Sequence, residues 1–378
     1  MQIAFLSPMK PLTSPVPSGD RTMGRLIVRA LSEGGHTVEI ASTFRSWSAE
    51  GGDEHFKALE NSARLEAHRL IQNWKARRYR PDVMLTYHLY HKAPDWIGPI
   101  IAEYYGCPYI IVEASRAPKH KDGEWALGFA AADAALAKAD RVVAVHKADA
   151  QCLEDVVPAR KLSIISPFVD AQKYSPDAGD GDSQPKSDAL RLLCVAMMRP
   201  GDKMRSYTLL AEALQTMKDL NWHLTIIGDG DNAGTVHRLF EGLPVSFKGT
   251  VRSAEMPKVY CSHDIMVWPA IREAFGFALL EAQSCGVPVV AGDSLGVPDI
   301  IAHKETGLLS KEGSVEPFAK NLRKLCENTE QREQMGKAAR EKVLSVHSLE
   351  HAKVQLNDLL ESALAERMQR GESGGSAL

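Results

Sequence analysis

Short apolar runs alternate with amphipathic helical patterns along most of the chain. This alternation is typical of βαβ units, in which helices cover the faces of a parallel sheet. We therefore predict an α/β fold. The strands predicted for the first half are 3–6, 37–41, 83–87, 109–112, 141–145 and 162–165. Those predicted for the second half are 190–195, 223–227, 245–247, 265–268 and 288–291.

Two domains are expected, because 378 residues are too many for one hydrophobic core. Residues 176–188 lack apolar periodicity and are typical of an exposed linker. The pattern predicts an N-terminal domain of residues 1–170, a linker of 171–188 and a C-terminal domain of 189–347. Helical patterns follow at 314–344 and 348–368, and residues 369–378 are expected to form a frayed tail.

Composition indicates an ordinary cytoplasmic protein. Hydrophobic residues make up 44% and charged residues 25%. The net charge of -3 gives no reason to expect nucleic acid as a partner. The six cysteines form no C-x-x-C pair and are expected to be reduced. We find no apolar run long enough to span a membrane. The first predicted strand begins so early that we expect no signal peptide before it.

The stretch 272–292 predicts a loop, a helix and a buried strand in succession. Glu273 precedes the helix and Glu281 lies within it, eight positions later. Backbone N–H groups at the helix N-terminus attract an anion such as pyrophosphate. Glu281 is placed to accept hydrogen bonds from a ribose diol, and Glu273 from sugar hydroxyls. The loop residues expected to contact such a donor are Ala274, Phe275, Gly276 and Phe277.

Arg199 and Lys203 lie four positions apart in the loop after another predicted strand. Together they could neutralise one pyrophosphate, because Arg supplies a planar fork of donors and Lys a compact charge. The spacings typical of metal ligands, H-x-x-x-H and C-x-x-C, are missing from the sequence. We therefore expect neither a metal nor a cofactor.

Three further candidates follow strands of the first half. His88 and Glu113 come just after two predicted strands, at the edge where open α/β sheets bind ligands. Gly19 lies between the first strand and a helix predicted over 21–31, a usual place for a phosphate or a sugar.

Each pattern also has a plain structural explanation. Glu281 could be a surface residue of an ordinary crossover and Glu273 a helix cap. His88 could be a polar loop residue, and Gly19 could simply shape a turn. The spacing of these residues does not decide between the explanations.

The chain resembles the retaining glycosyltransferases of family 4, which have the GT-B fold. Glu273-Ala-Phe-Gly-Phe followed by Glu281 looks like their E-x7-E signature, and 286–289, 296–299 and 306–309 continue the likeness. The resemblance implies two Rossmann-like, doubly wound domains facing a central cleft, with the last helix packing back on the N-terminal acceptor domain. It implies metal-independent transfer of a hexose from a UDP- or GDP-sugar to a hydroxyl of a glycan, lipid or small molecule.

The resemblance also assigns roles. Arg199 and Lys203 would stabilise the leaving diphosphate, while His88 or Glu113 would position the acceptor hydroxyl. Two departures stand out: 18–21 replaces the usual Gly-Gly pair, and Glu113 stands where many relatives have a histidine. The further donor-lining positions are Gly19, Gly228, Gly230, Thr250 and Val251.

A predicted helix at 55–80 carries seven Lys or Arg residues against two acids. With Phe44, Trp47 and Trp74 nearby, it could rest on anionic lipid at the inner face of the membrane. A merely solvated basic face is the alternative.

Two other functions stay open at this stage. One is a GT-B sugar-nucleotide epimerase, against which the Glu273 and Glu281 pair argues. The other is a GT-B module that binds a sugar nucleotide or a partner protein without turnover, which the missing histidine at Glu113 keeps under consideration.

Overall fold

The computed structural model describes residues 1–15, 18–178 and 189–374, with side chains described as far as 369. Its contacts divide the chain into two units, Met1–Ser166 with the chain from Glu350 onward, and Pro167–Leu349. Residues 179–188 of the expected linker and 375–378 of the expected tail lie outside the described residues.

The first unit contains a six-stranded parallel sheet in the order β2-β1-β3-β4-β5-β6. Helices on both faces bury the strands, and this explains why the strands are apolar almost throughout. The strands are β1 (Gln2–Leu6), β2 (Thr37–Ser42), β3 (Val83–Leu89), β4 (Tyr109–Ala114), β5 (Arg141–Ala144) and β6 (Leu162–Ile164). The helices are α1 (Gly19–Glu33), α2 (Asp53–Arg77), α3 (Ile97–Tyr105), α4 (Ala126–Lys138) and α5 (Lys147–Leu153).

The second unit contains another six-stranded parallel sheet, in the order β12-β11-β10-β7-β8-β9. Its strands are β7 (Leu190–Val195), β8 (Trp222–Ile227), β9 (Val245–Phe247), β10 (Ile265–Trp268), β11 (Val289–Asp293) and β12 (Gly307–Lys311). Its helices are α6 (Asp202–Gln215), α7 (Ala233–Leu239), α8 (Met256–Cys261), α9 (Phe277–Ser284), α10 (Val297–Ile300), α11 (Val315–Glu327) and α12 (Thr329–Val346).

All eleven predicted strands are present, with ends shifted by a few residues at most. The edge strand β12 was not predicted, because its residues mix buried and exposed positions and begin at a glycine. The helical pattern at 314–344 is two helices rather than one. They are separated at Asn328, whose side chain accepts a hydrogen bond from the backbone N–H of Gln331 at 2.9 Å and so caps α12.

Part of the expected linker is packed, which corrects that prediction. Ala171 and Tyr174 are buried in the core of the second unit. Arg340 donates hydrogen bonds to both of their carbonyl oxygens, at 2.8 and 2.9 Å. Ala171 and Tyr174 are thus held in the core of the second unit, although most of the segment around them is polar.

The final helix, α13 (Leu349–Gly374), packs within the first unit. Arg141 of β5 donates to Glu366 at 2.6 Å, and His36 lies 3.0 Å from the side-chain oxygen of Asn357. The helix is described through Gly374, so it includes residues 369–374 of the expected tail. Over the described ranges, every helix is too short or too polar to cross a bilayer.

Candidate functional site

In the second unit, the strand order reverses between β7 and β10, and the crevice at such a point is where open α/β sheets bind ligands. The loop after β7 carries Arg199 and leads to Lys203 in the first turn of α6. The loop after β10 carries Glu273 and leads to α9. The sheet topology therefore explains why residues about 70 positions apart meet here.

Lys203 and Glu273 form a hydrogen-bonded ion pair. The indole N–H of Trp268, the last residue of β10, donates to the same carboxylate oxygen at 3.0 Å. The Lys203 ammonium also lies 5.2 Å from the centre of the Trp268 ring, within cation–π range. Two donors thus fix Glu273, and its carboxylate fixes the ammonium at the strand edge. It does not cap α9, which has no side-chain cap.

Arg199 is exposed, and in the described parts of the chain it has no hydrogen-bond or ion-pair partner. Its guanidinium can therefore bind an anion without first giving up a partner, whereas the Lys203 ammonium is already paired with Glu273.

The N-terminus of α9 has no side-chain cap. Gly276 at the cap position has a left-handed φ of 77°, which a residue with a side chain adopts only with strain. Phe275 is buried and meets Phe277 edge to face at 5.1 Å, and the carbonyl of Ala274 accepts from Gly296 at 2.8 Å. The loop is therefore held in place while the first-turn N–H groups lack intrahelical acceptors. An anion is a suitable partner for them.

Glu281 of α9 is half-buried rather than fully exposed. The hydroxyl of Tyr260 donates to its carboxylate at 2.7 Å. Burial raises the pKa of Glu281, against the hydrogen bonds of Tyr260 and Tyr174, which lower it. One oxygen of the Glu281 carboxylate thus already accepts a hydrogen bond. The spacing between Glu273 and Glu281 in the sequence does not predict this contact.

Gly228 and Gly230 have a structural reason to be glycine. A Cβ atom at Gly228 would lie 1.8 Å from the carbonyl oxygen of Ala196, and one at Gly230 2.5 Å from that of Met198. The loop after β8 therefore packs directly on the backbone of the loop that carries Arg199. Of the other donor-lining candidates, Thr250 is exposed and Val251 is half-buried beyond β9.

In the first unit, the strand order reverses between β1 and β3, and a second cluster lies at that point. The ring nitrogen Nδ1 of His88 lies 3.2 Å from a carboxylate oxygen of Glu113 and 3.4 Å from one of Asp20. His88 and Glu113 are brought together as the edge positions predicted. Asp20, in the first turn of α1, was not singled out, although it directly follows Gly19.

Backbone geometry at this cluster is unusual. His88 and Glu113 have left-handed φ values of 63° and 62° near the ends of adjacent strands. Non-glycine residues adopt this region infrequently, and such strain is concentrated at functional sites. His88 is therefore more than an ordinary loop residue.

Glu113 is only 8% exposed, and burial raises its pKa, with His88 opposing and Asp20 reinforcing the shift. The Tyr87 hydroxyl donates to the backbone carbonyl of Asp20 at 3.0 Å, and burial raises its pKa well above the usual range, so it remains a neutral donor. The imidazole and the two carboxylates share a region 4.8 Å across, and in the described ranges this is the single group with a geometry that could hold a metal ion. The same arrangement can hold and pass a proton.

Gly19 is the first residue of α1. The preceding Ser18 caps this helix by accepting from the N–H of Arg21 at 3.2 Å, and Lys10 donates to the same hydroxyl at 2.9 Å. The first turn of α1 is therefore already capped by a side chain, unlike that of α9.

Two family models match the chain, "Glycosyltransferase Family 4" over residues 22–173 and "Glycosyl transferases group 1" over 186–342. The sulfoquinovosyl transferase SQD2 of Arabidopsis thaliana is 42% identical over 121 residues, which are 31% of this chain and 24% of that protein. A GDP-mannose-dependent alpha-(1-6)-phosphatidylinositol monomannoside mannosyltransferase of Mycobacterium tuberculosis is 27% identical over 225 residues, 56% of this chain and 58% of the relative. The matches thus span between a quarter and three fifths of these two relatives.

Among solved structures, Anabaena Alr3699/HepE in complex with UDP superposes with a TM-score of 0.74 at 17% identity, covering 96% of this chain and all of that one. At this identity the likeness concerns the fold, which is GT-B with two Rossmann-like units.

Proposed function

Because the chain belongs to glycosyltransferase family 4, we propose that it transfers a hexose from a nucleoside-diphosphate sugar to a hydroxyl group. The transfer retains the anomeric configuration and needs no divalent metal. The observation that carries the proposal is the meeting of Lys203, Glu273 and the uncapped start of α9 at the point where the strand order reverses.

Departure of a nucleoside diphosphate concentrates negative charge on the leaving phosphate, and fixed positive groups stabilise that charge in the transition state. Arg199 supplies a guanidinium with open donors, and Lys203 supplies a charge that Glu273 holds in place. The N–H groups at the start of α9 add the positive end of a helix dipole. This combination provides the stabilisation that a magnesium ion gives in other phosphate chemistry.

The other contacts to the sugar nucleotide follow from binding its diphosphate at the start of α9. Glu273 accepts from hydroxyls of the transferred sugar, and Glu281 accepts from the ribose with the capacity that Tyr260 leaves. The backbone at Gly228 and Gly230 lines the nucleotide together with Thr250 and Val251.

The acceptor hydroxyl is positioned by His88, whose ring lies beside the carboxylates of Glu113 and Asp20. As the sugar leaves the diphosphate, the hydroxyl oxygen forms the new bond on the same face of the ring. Its proton passes to the leaving phosphate or to the imidazole. No carboxylate nucleophile is required for retention by this route.

The donor is a UDP- or GDP-hexose, and the acceptor belongs to glycolipid or polysaccharide synthesis. A mannosyltransferase relative is named for GDP-mannose and for a phosphatidylinositol mannoside, and a structural neighbour was solved with UDP. We propose that the reaction takes place in the cytoplasm. Peripheral contact of α2 with anionic lipid is a weaker part of the proposal, because Trp74 is buried in the core and three arginines of α2 are paired with Glu39, Glu60 and Glu66.

Donor hydrolysis gives the direct test. The full chain is incubated with UDP- and GDP-hexoses in EDTA, and release of the nucleoside diphosphate is followed with and without candidate acceptors. Release that requires an intact Lys203 supports the proposal. Saturable nucleotide binding without any turnover would instead favour the non-catalytic module, for which Glu113 in place of the usual histidine is the argument. Interconversion of the free sugar nucleotide would favour the epimerase.

A further inference from the structure

Two loops at the carboxyl ends of β3 and β4 carry positive charges without counter-ions. Lys92 follows β3, and Lys119 and Lys121 follow β4. In the described ranges none of the three forms an ion pair, whereas nearby Arg116 is paired with Asp133 at 2.9 Å. Unpaired lysines are common on open surfaces. The groups around these three therefore determine whether they are ordinary surface residues or part of a binding site.

The lysines lie near a stacked pair of histidines, of which His91 is buried and His120 is half-buried. The rings of His91 and His120 stack at 4.2 Å with planes 24° apart. His91 is only 8% exposed, and its Nε2 atom is buried with no hydrogen-bond partner. A buried polar atom without a partner is costly, and a bound ligand with a hydrogen-bonding group would satisfy it.

Electrostatics point to the same missing ligand. Burial lowers the pKa of His91 to about 4, and the positive groups of His120, Lys92 and Lys119 add to the shift. The pKa of His120 is lowered by burial and by the same two lysines, with Glu124 alone opposing. The two lysines therefore disfavour protonation of the rings, and an anion placed among them would offset that effect.

The cluster is also fixed in place. The Lys92 ammonium lies 4.1 Å from the centre of the buried Trp125 ring, which meets His91 edge to face at 5.7 Å. The backbone carbonyl of Glu124 accepts from Gly52 at 2.6 Å and anchors the second loop. Since His91 and Lys92 already have fixed contacts, their share of a ligand site would form at little further entropic cost.

We infer that Lys92, Lys119, His91 and His120 form a subsite for a tetrahedral oxyanion of the phosphate class carried by the acceptor. The inference rests on the proposed function, because the same strand ends carry His88 and Glu113, which position the acceptor hydroxyl. Lys92 comes only four residues after His88. Besides Arg116, which is paired with Asp133, the remaining charged groups of the second loop are Lys121, Asp122 and Glu124, one positive and two negative.

Binding of glycerol 3-phosphate to the full chain tests the subsite without any need for turnover. Isothermal titration should give saturable binding that glycerol does not reproduce. Lys92→Met and Lys119→Met should each weaken it by about tenfold or more, because each removes a charge-assisted hydrogen bond. Lys57→Met, which changes an exposed lysine of α2, is the matched control and should bind like the wild type.

Binding should also raise the pKa of His120, measured from its ring proton shifts, and His120→Gln should weaken affinity without unfolding the chain.

Vesicles of phosphatidylcholine with and without phosphatidylglycerol distinguish the sources of the phosphate. Binding of the soluble ester assigns the subsite to a small acceptor, and lysine-dependent binding to anionic vesicles alone assigns it to a lipid headgroup. Binding of neither probe, or binding unchanged in both lysine variants, overturns the inference. Titration with UDP in parallel reports on the donor site separately, so failure of one site is distinguishable from failure of the other.

Discussion

The ammonium group of Lys203 donates a hydrogen bond to the carboxylate of Glu273, at the edge where the order of the second sheet reverses. The pair is half-sheltered, and Trp268 contacts both partners. An ion pair in such a place contributes little to folding, since desolvation offsets much of its attraction. Its more specific effect is to hold a positive charge at a fixed position beside the start of α9.

Replacement of this lysine should therefore affect turnover more than stability. Lys203→Met is expected to lower kcat/KM for the donor by about 100-fold, the usual cost of removing one preorganised donor to a developing charge. The melting temperature should change by only a few degrees. Steady-state kinetics and thermal unfolding of the same preparation check both parts, with Lys57→Met as the control. Loss of folding in Lys203→Met at ordinary temperature would show that the pair is structural instead.

Glu113 should impose a pH dependence on stability. Burial raises its pKa above the ordinary 4.5, so the folded state favours the protonated carboxyl. The resulting stabilisation is fully present below the ordinary pKa and is lost as the pH rises through the folded value. Glu113→Gln keeps the neutral shape, so its free energy of unfolding relative to the wild type should increase as the pH is raised from about 4 to 7. Urea unfolding across this range measures the difference, and a constant difference would contradict the assignment.

The same ionisation should appear in catalysis. A negatively charged Glu113, 3.2 Å from Nδ1 of His88, favours the tautomer with its hydrogen on that nitrogen and leaves the other ring nitrogen to receive a proton from the acceptor hydroxyl. The rate of transfer in the wild type should rise with pH along a limb whose apparent pKa lies above the ordinary glutamic acid value. In Glu113→Gln that limb should vanish and kcat should fall. The measurement is a pH profile of kcat for both proteins; a limb that persists in the variant would assign it to another group.

Gly228 should be intolerant of a side chain for reasons of space. A methyl group there would lie 1.8 Å from the carbonyl oxygen of Ala196, and backbone cannot yield cheaply. Gly228→Ala should reduce the free energy of unfolding by about 3 kcal/mol. Gly242 has a left-handed φ of 75° but nothing within 4 Å of its Cβ position, so Gly242→Ala should cost only about 1 kcal/mol. Equal losses in chemical denaturation would mean that backbone conformation, and not the close approach, is the cause.

The strands were predictable because central parallel strands are apolar on both faces, and such runs stand out in a sequence. The edge strand β12 lacks this signal. Burial of Tyr174 was also missed, since one aromatic contact within a polar segment creates no periodicity.

The site was partly predictable from its position at the strand ends. Chain topology brings the residues after β7 next to those after β10, so the position of Lys203 and Glu273 after these strands is enough to predict that they meet. Asp20 was missed because its role depends on the left-handed backbone at His88, which local sequence preference disfavours. Engagement of Glu281 by Tyr260 likewise depends on packing between α8 and α9.

The most direct test of the account is isothermal titration of UDP and GDP into the wild type, Arg199→Met and Lys203→Met in the presence of EDTA. If fixed cations and the start of α9 neutralise the diphosphate, one of the nucleotides should bind saturably without metal. Each substitution should then weaken that nucleotide by about tenfold or more, while binding of the uncharged nucleoside stays the same. Strict dependence on a divalent ion, or equal affinity in all three proteins, would contradict the account.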